Sequence, residues 1–153
     1  MGQDKKKSDN SMRRLARLAA VQGLYQIALS PEPAETLIKR FREDPAVLLQ
    51  EEHTVIAVDT ELFSKIVSGV SEHKDDLDQA IAGALDSRLS ANRLEHLLKA
   101  ILRAGAFELL HNSTVPEGIV VNDYVDVAHG FFAAKEPALV NAVLDRLAKK
   151  LRS

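Results

Sequence analysis

The sequence predicts an all-α fold. Apolar residues recur at helical spacing along most of the chain, and the stretches between carry the residues that stop and start helices. Convincing strand alternation is absent. Gly118-Ile119-Val120-Val121 is the only β-rich tetrapeptide, and it runs into a helical pattern.

Taken in order, residues 1–11 are polar and basic, with no apolar residue between Met1 and Met12. They predict a flexible arm carrying Lys5, Lys6 and Lys7, ahead of a single helical domain over 12–153. Asn10 and Ser11 are suited to cap a helix, expected over 12–29 and stopped at Ser30-Pro31. At about 100° per residue, Leu15, Leu18, Ala19, Tyr25, Gln26 and Leu29 share one face. Arg13, Arg14 and Arg17 share another, which Val21 and Leu24 extend, with Tyr25 at its edge. A short helix follows over 34–42 and breaks at Asp44-Pro45, and residues 45–58 read as a turn and a loop. Asp59 or Thr60 then opens one long helix, through Leu62, Phe63, Ile66, Val67, Val70, Leu77, Ile81 and Leu85. Its outer face carries Glu72, Asp75, Asp76 and Asp78. After a break over 86–92, a helix over 93–111 is apolar nearly all round and therefore central. Two more are expected over 119–132 and 137–151, the last with Pro137 in a permitted first-turn position.

The totals exclude several classes of protein. A length of 153 residues suits one domain with a real core. With no cysteine there is no disulfide, thiolate–metal site or cysteine nucleophile. Apolar runs fall short of the roughly 18 residues a membrane span needs, and no apolar segment follows the basic start as in a secretory signal. The net charge of −2 conceals an asymmetry: residues 1–20 carry +4, 135–153 carry +3, and 21–134 carry −9. Basic ends are an anion or nucleic-acid footprint, or else a solubilising arm and an ordinary basic helix terminus.

A search for catalytic chemistry is negative. His53, His73, His96, His111 and His129 have no metal-ligand spacing. The acids from Glu72 to Asp78 lack the glycine and alternation of a calcium loop. Phosphate-binding glycine loops and the nucleophile elbow are missing. Gly23, Gly69, Gly83 and Gly105 interrupt helical patterns at about 1 kcal/mol each, which close helix approach would explain. The chain reads as a non-enzyme without catalytic residue, cofactor or metal.

The first helix carries the binding chemistry. Arg13, Arg14 and Arg17 lie in its first turns, where positive charge opposes the helix dipole. Phosphate would compensate, since guanidinium forks hold phosphate oxygens bidentately. Tyr25 offers a ring on which an unpaired base can stack. The alternative is a tyrosine in the core and arginines paired with acids of the middle region.

The order of several segments resembles the NusB family. Arg13-Arg14-Leu15-Ala16-Arg17 with Ala20-Val21-Gln22-Gly23-Leu24-Tyr25 is similar to its first helix, and Ala100-Ile101-Leu102-Arg103-Ala104-Gly105-Ala106-Phe107-Glu108-Leu109 to its central one. Val115-Pro116 leading to Val121-Asn122-Asp123 looks like the following loop and helix start, and Val140-Asn141-Ala142-Val143-Leu144-Asp145 like the last helix. The resemblance covers most of residues 12–147 and implies two packed three-helix bundles. It implies a cytoplasmic transcription antitermination factor that binds boxA-type single-stranded RNA of ribosomal RNA leaders. Its partners would be the ribosomal protein NusE and the antitermination complex on RNA polymerase, and a homodimer is a further expected state. By the same resemblance Arg13, Arg14, Arg17 and Tyr25 hold RNA, with the turn over 131–137 nearby. Leu15 replaces a common basic residue, for which Lys5, Lys6 and Lys7 would substitute. Phe107 stands where tyrosine is usual, and the stretch 43–58 is longer than typical. The NusE-binding face is expected on the long acidic helix and the central helix. A domain of this type also resembles the N-terminal part of a ribosomal RNA cytosine methyltransferase, but no cofactor-binding domain follows here. A protein-only helical adaptor or homodimer is the remaining alternative.

Overall fold

The computed structural model describes residues 2–49, 57–85, 94–133 and 135–152, with the backbone alone for 2–8 and 152. His53, the expected break over 86–92 and the expected helix start at Arg93 lie outside the described residues. Within them the chain is all-helical: α1 (Gly2–Leu29), α2 (Ala34–Glu43), a 3-10 turn (Pro45–Val47), α3 (Thr60–Glu72), α4 (Lys74–Ala84), α5 (His96–His111), α6 (Glu117–Phe131) and α7 (Lys135–Arg152).

Helices α1, α2 and α3 pack as one bundle and α5, α6 and α7 as a second, with α4 laid across α5 and α7. Helix α1 belongs to both bundles, because it also packs along α5 and α6. That position explains its small buried residues: Ala16, Ala19, Ala20 and Gly23 let neighbouring helices approach from several sides. The face expected from periodicity is displaced as a result. Leu29 is exposed, whereas Ala16, Arg17, Ala20, Val21 and Leu24 are buried. In the first bundle Phe41 of α2 stacks on Phe63 of α3 with ring centroids 3.9 Å apart.

Two boundaries differ from the sequence reading. Residues 2–11, expected as an arm, continue α1 as helix. Lysine and glutamine are good helix formers, and adding turns to a helix already nucleated by packing costs far less than starting one. The expected long helix over 60–85 is two, separated at His73. His73 closes α3 and leads into α4, whose first turn carries Asp75 and Asp76, favourable charges at a helix N-terminus. The His73 ring stacks on His111 at the end of α5, centroids 4.3 Å apart, and meets Phe107 edge-on. At the other end of α3, the Asp59 carboxylate accepts from the Leu62 N–H at 3.0 Å, a side-chain N-cap. The N–H of Asp59 donates to the Met12 carbonyl, tying the start of α3 to α1.

The helix contacts also explain a glycine. A Cβ on Gly69 would lie 2.1–2.4 Å from three ring atoms of Phe107, so α3 can seat on α5 only without a side chain there. Gly83 has no such constraint; its nearest neighbour is the far end of Lys150, 3.8 Å away. Gly69→Ala is therefore expected to destabilise the fold by about 1–3 kcal/mol, as overpacking does, despite the helix propensity it gains. Gly83→Ala should be neutral or stabilising by up to about 1 kcal/mol. Urea unfolding of both variants checks the contrast, and equal midpoints would contradict it.

Candidate nucleic-acid interface

The middle of α1 lies against α6. Because the helix begins at Gly2, Arg13, Arg14 and Arg17 sit about three turns or more inside it and not in its first turns as expected, and the three arginines separate there. Arg17 points into the protein and is 1% exposed. Its Nε and Nη2 donate to the two carboxylate oxygens of Glu108 on α5 at 2.7 and 2.8 Å, and its Nη1 donates to Asp123 on α6 at 2.8 Å. Tyr124, fully buried, donates its hydroxyl to Glu108 at 2.6 Å. Burial works against the Arg17 charge. The hydrogen bonds and charge of Glu108, with Asp123 adding, outweigh it and raise the guanidinium pKa further above its ordinary value. Burial pushes the Asp123 carboxyl up, against the opposing pull of Arg17 and Arg14. Arg17 is thus a buried structural cation, and its expected RNA contact is corrected. A buried charge persists only where it is paired and hydrogen-bonded, and here α5 and α6 supply both.

Arg14 continues the network outward. It pairs with Asp123 at 3.4 Å and with Asp126, one helical turn further along α6. The chain Glu108–Arg17–Asp123–Arg14–Asp126 alternates in sign from the interior to solvent, where Arg14 and Asp126 are 56% and 55% exposed. Arg13 is half-buried and donates to Asn10 at 3.3 Å, with no carboxylate partner among the described residues.

These side chains border a groove of about 490 Å³ between α1 and α6, lined by Asn10, Arg13, Arg14, Asn122, Asp123 and Asp126 with Ile119 and Val125; Arg17 also borders it, though only 1% exposed and held by Glu108 and Asp123. A second cleft of about 650 Å³ opens on the other side of Arg13, between α3 and the turn before α6. Arg13 and Ile119 line both, so the two clefts are neighbours. Lys65 lines the second cleft, with the polar groups of Ser64, Ser68, Asn112 and Thr114.

Tyr25 is half-buried against the core and does not line the groove. It sits eleven residues after Arg14, on nearly the same face but roughly 16 Å along the axis. The Lys5, Lys6 and Lys7 backbone extends α1 beyond Asn10. On either side of the turn before α7, Phe131 at the end of α6 and Lys135 at the start of α7 are exposed. The acids of α6 were the part the sequence reading missed. Asp123 and Asp126 are spaced i, i+3, which puts both on one helix face, but nothing local placed that face opposite α1.

The remaining expected sites behave as ordinary structure. Asp78 forms a two-pronged pair with Arg103 of α5 at 2.7 and 2.9 Å, joining α4 to the second bundle. Groups of three or more metal-ligating side chains do not occur among the described residues, and no helix among them is long and apolar enough to cross a membrane.

Fold and groove together define a class: a helical binding protein whose cation-bearing first helix spans two bundles and faces a groove. The chain belongs to the NusB family, whose model matches residues 14–149. It is 41% identical over 142 residues to the transcription antitermination protein NusB of Sinorhizobium fredii, covering 93% of this chain and 89% of that protein. It is 38% identical to the protein of the same name from Maricaulis maris, covering 92% and 88%. Among solved structures, T. maritima NusB superposes with a TM-score of 0.71 at 27% identity, over 90% of this chain and 91% of that one. A crystal structure of the antitermination factors NusB and NusE in complex with double-stranded RNA gives a TM-score of 0.72 at 27% identity, over 90% and 96%.

Proposed function

We propose that this chain is a transcription antitermination factor acting by binding rather than catalysis. It holds boxA-type single-stranded RNA of ribosomal RNA leaders together with NusE, and so joins the antitermination complex on RNA polymerase in the cytoplasm. One observation carries the reading: in a chain about 40% identical to NusB antitermination proteins, Arg13 and Arg14 stand over a groove between α1 and α6. Arginine at such an edge suits phosphate, and the groove's asparagines and apolar wall suit sugar and base. Tyr25, three turns on, offers a base-stacking surface, and Lys5 to Lys7 add cations at the opposite end of α1. The exposed acids Glu72, Asp75 and Asp76 at the α3–α4 junction complement a basic ribosomal protein. The central helix α5 offers such a partner little, because it is buried along most of its length.

The test is titration of a boxA RNA, its scrambled form and a duplex of the same sequence, with and without NusE, at several salt concentrations. Single-stranded boxA is expected to bind best, and more tightly with NusE. Arg13→Ala with Arg14→Ala should weaken binding and lower the salt slope by about 1.4, since each phosphate contact on a single strand contributes roughly 0.7. Stability should change far less than in any Arg17 variant, because neither side chain is fully buried. Equal binding of boxA and scrambled RNA under all conditions would instead favour a protein-only adaptor, and self-association seen by sedimentation would favour a homodimer.

A further inference from the structure

We infer that Asp126 occupies Arg14 in the RNA-free protein as an internal stand-in for phosphate, and that RNA binds by displacing it. The inference rests on the RNA-binding reading above. Arg14 is the most exposed cation of the described groove, yet it is already engaged by Asp126 and by Asp123. The two carboxylates differ. Asp123 is 12% exposed and also bound to the buried Arg17, so it cannot leave without stranding that charge. Asp126 is 55% exposed, and Arg14 is its one cation partner among the described residues. It ends the alternating chain and leaves the five linked groups one negative charge in excess.

A phosphate oxygen arriving at Arg14 can make the same charge-assisted hydrogen bond that Asp126 makes. If Asp126 stayed in place, its carboxylate and the phosphate would confront each other across one guanidinium. The cheaper exchange is for Asp126 to swing into solvent. The lost contact is an ion pair with both side chains more than half exposed, which holds only weakly against solvent. Asp126 therefore sets the strength of RNA binding without touching the strand, and Asp123 keeps Arg14 aligned during the exchange.

The experiment is a double-mutant cycle on the full chain, using Asp126→Asn, Arg14→Ala and both, with the same boxA single strand at fixed salt. Asp145→Asn on α7, outside the groove, reports the general effect of removing one acid. Asp126→Asn is expected to tighten binding by about two- to fivefold, more than Asp145→Asn, and to lose that excess when Arg14 is alanine. No tightening, or equal tightening with and without Arg14, overturns the exchange while leaving the groove as an RNA site. Weakened binding would mean that Asp126 itself contacts RNA, which also overturns it. If Arg14→Ala alone leaves binding unchanged, the reading of the groove fails and the inference with it.

Discussion

Replacing Arg17 by alanine is expected to destabilise the protein by about 3–5 kcal/mol, the usual result of removing one partner from a buried ion pair. Glu108 would remain fully buried with only the Tyr124 hydroxyl, and Asp123 would keep only Arg14. For a chain of this length the loss corresponds to a fall in melting temperature of roughly 6–20 °C. Against a typical total of about 5–15 kcal/mol, that is enough to threaten folding. Lysine should rescue it only in part, because a single ammonium cannot reproduce the fork that spans both Glu108 oxygens and reaches Asp123. A triple alanine variant of Arg13, Arg14 and Arg17 would consequently lose RNA through unfolding and say nothing of the groove; the double variant without Arg17 is the informative one. Chemical denaturation checks the expectation. A loss under about 1 kcal/mol would show that the network does not hold α1 to α5 and α6.

The second large effect is expected at alkaline pH. Burial pushes the Tyr124 phenol well above its ordinary value of 10.0, and the neighbouring Glu108 carboxylate adds to the shift. In the unfolded chain this tyrosine ionises near pH 10, while the folded protein holds its proton. The stability it contributes is thus fully present below pH 10 and is lost as pH rises from there toward the folded value. One proton gives a slope of about 1.4 kcal/mol per pH unit. Tyr124→Phe should be the less stable protein at pH 7, because Glu108 loses a hydrogen bond, but the gap to wild type should narrow above pH 10. Unfolding free energies of the pair from pH 8 to 11.5 test this. Parallel curves throughout would mean that Tyr124 ionises while still folded.

The helical period, the proline and asparagine punctuation and the order of the blocks were enough to read an all-helical fold and its family. They worked because each is local: Leu37 and Phe41 of α2 fall inward by spacing alone, and Asp59 caps α3 within three residues of itself. The break at His73 was not legible, because what marks it is His111 and Phe107, over thirty residues away. The helical state of residues 2–11 was missed for a related reason. Composition forbids a buried core there, but a helix propagated from packed turns needs none.

By itself, then, the sequence determined that the fold is helical, where most of its helices lie, that α1 carries the cations, and which family the chain belongs to. Only the tertiary structure decided which cations face solvent. Arg13, Arg14 and Arg17 are chemically identical and lie within five residues. Arg17 is withdrawn because Glu108 and Asp123, from two other helices, meet at its guanidinium, and Arg14 is held at the rim by Asp126. A charge goes wherever its partners are. Those partners are 91 and 106 residues away from Arg17 along the chain, a separation that no helical period in α1 can report.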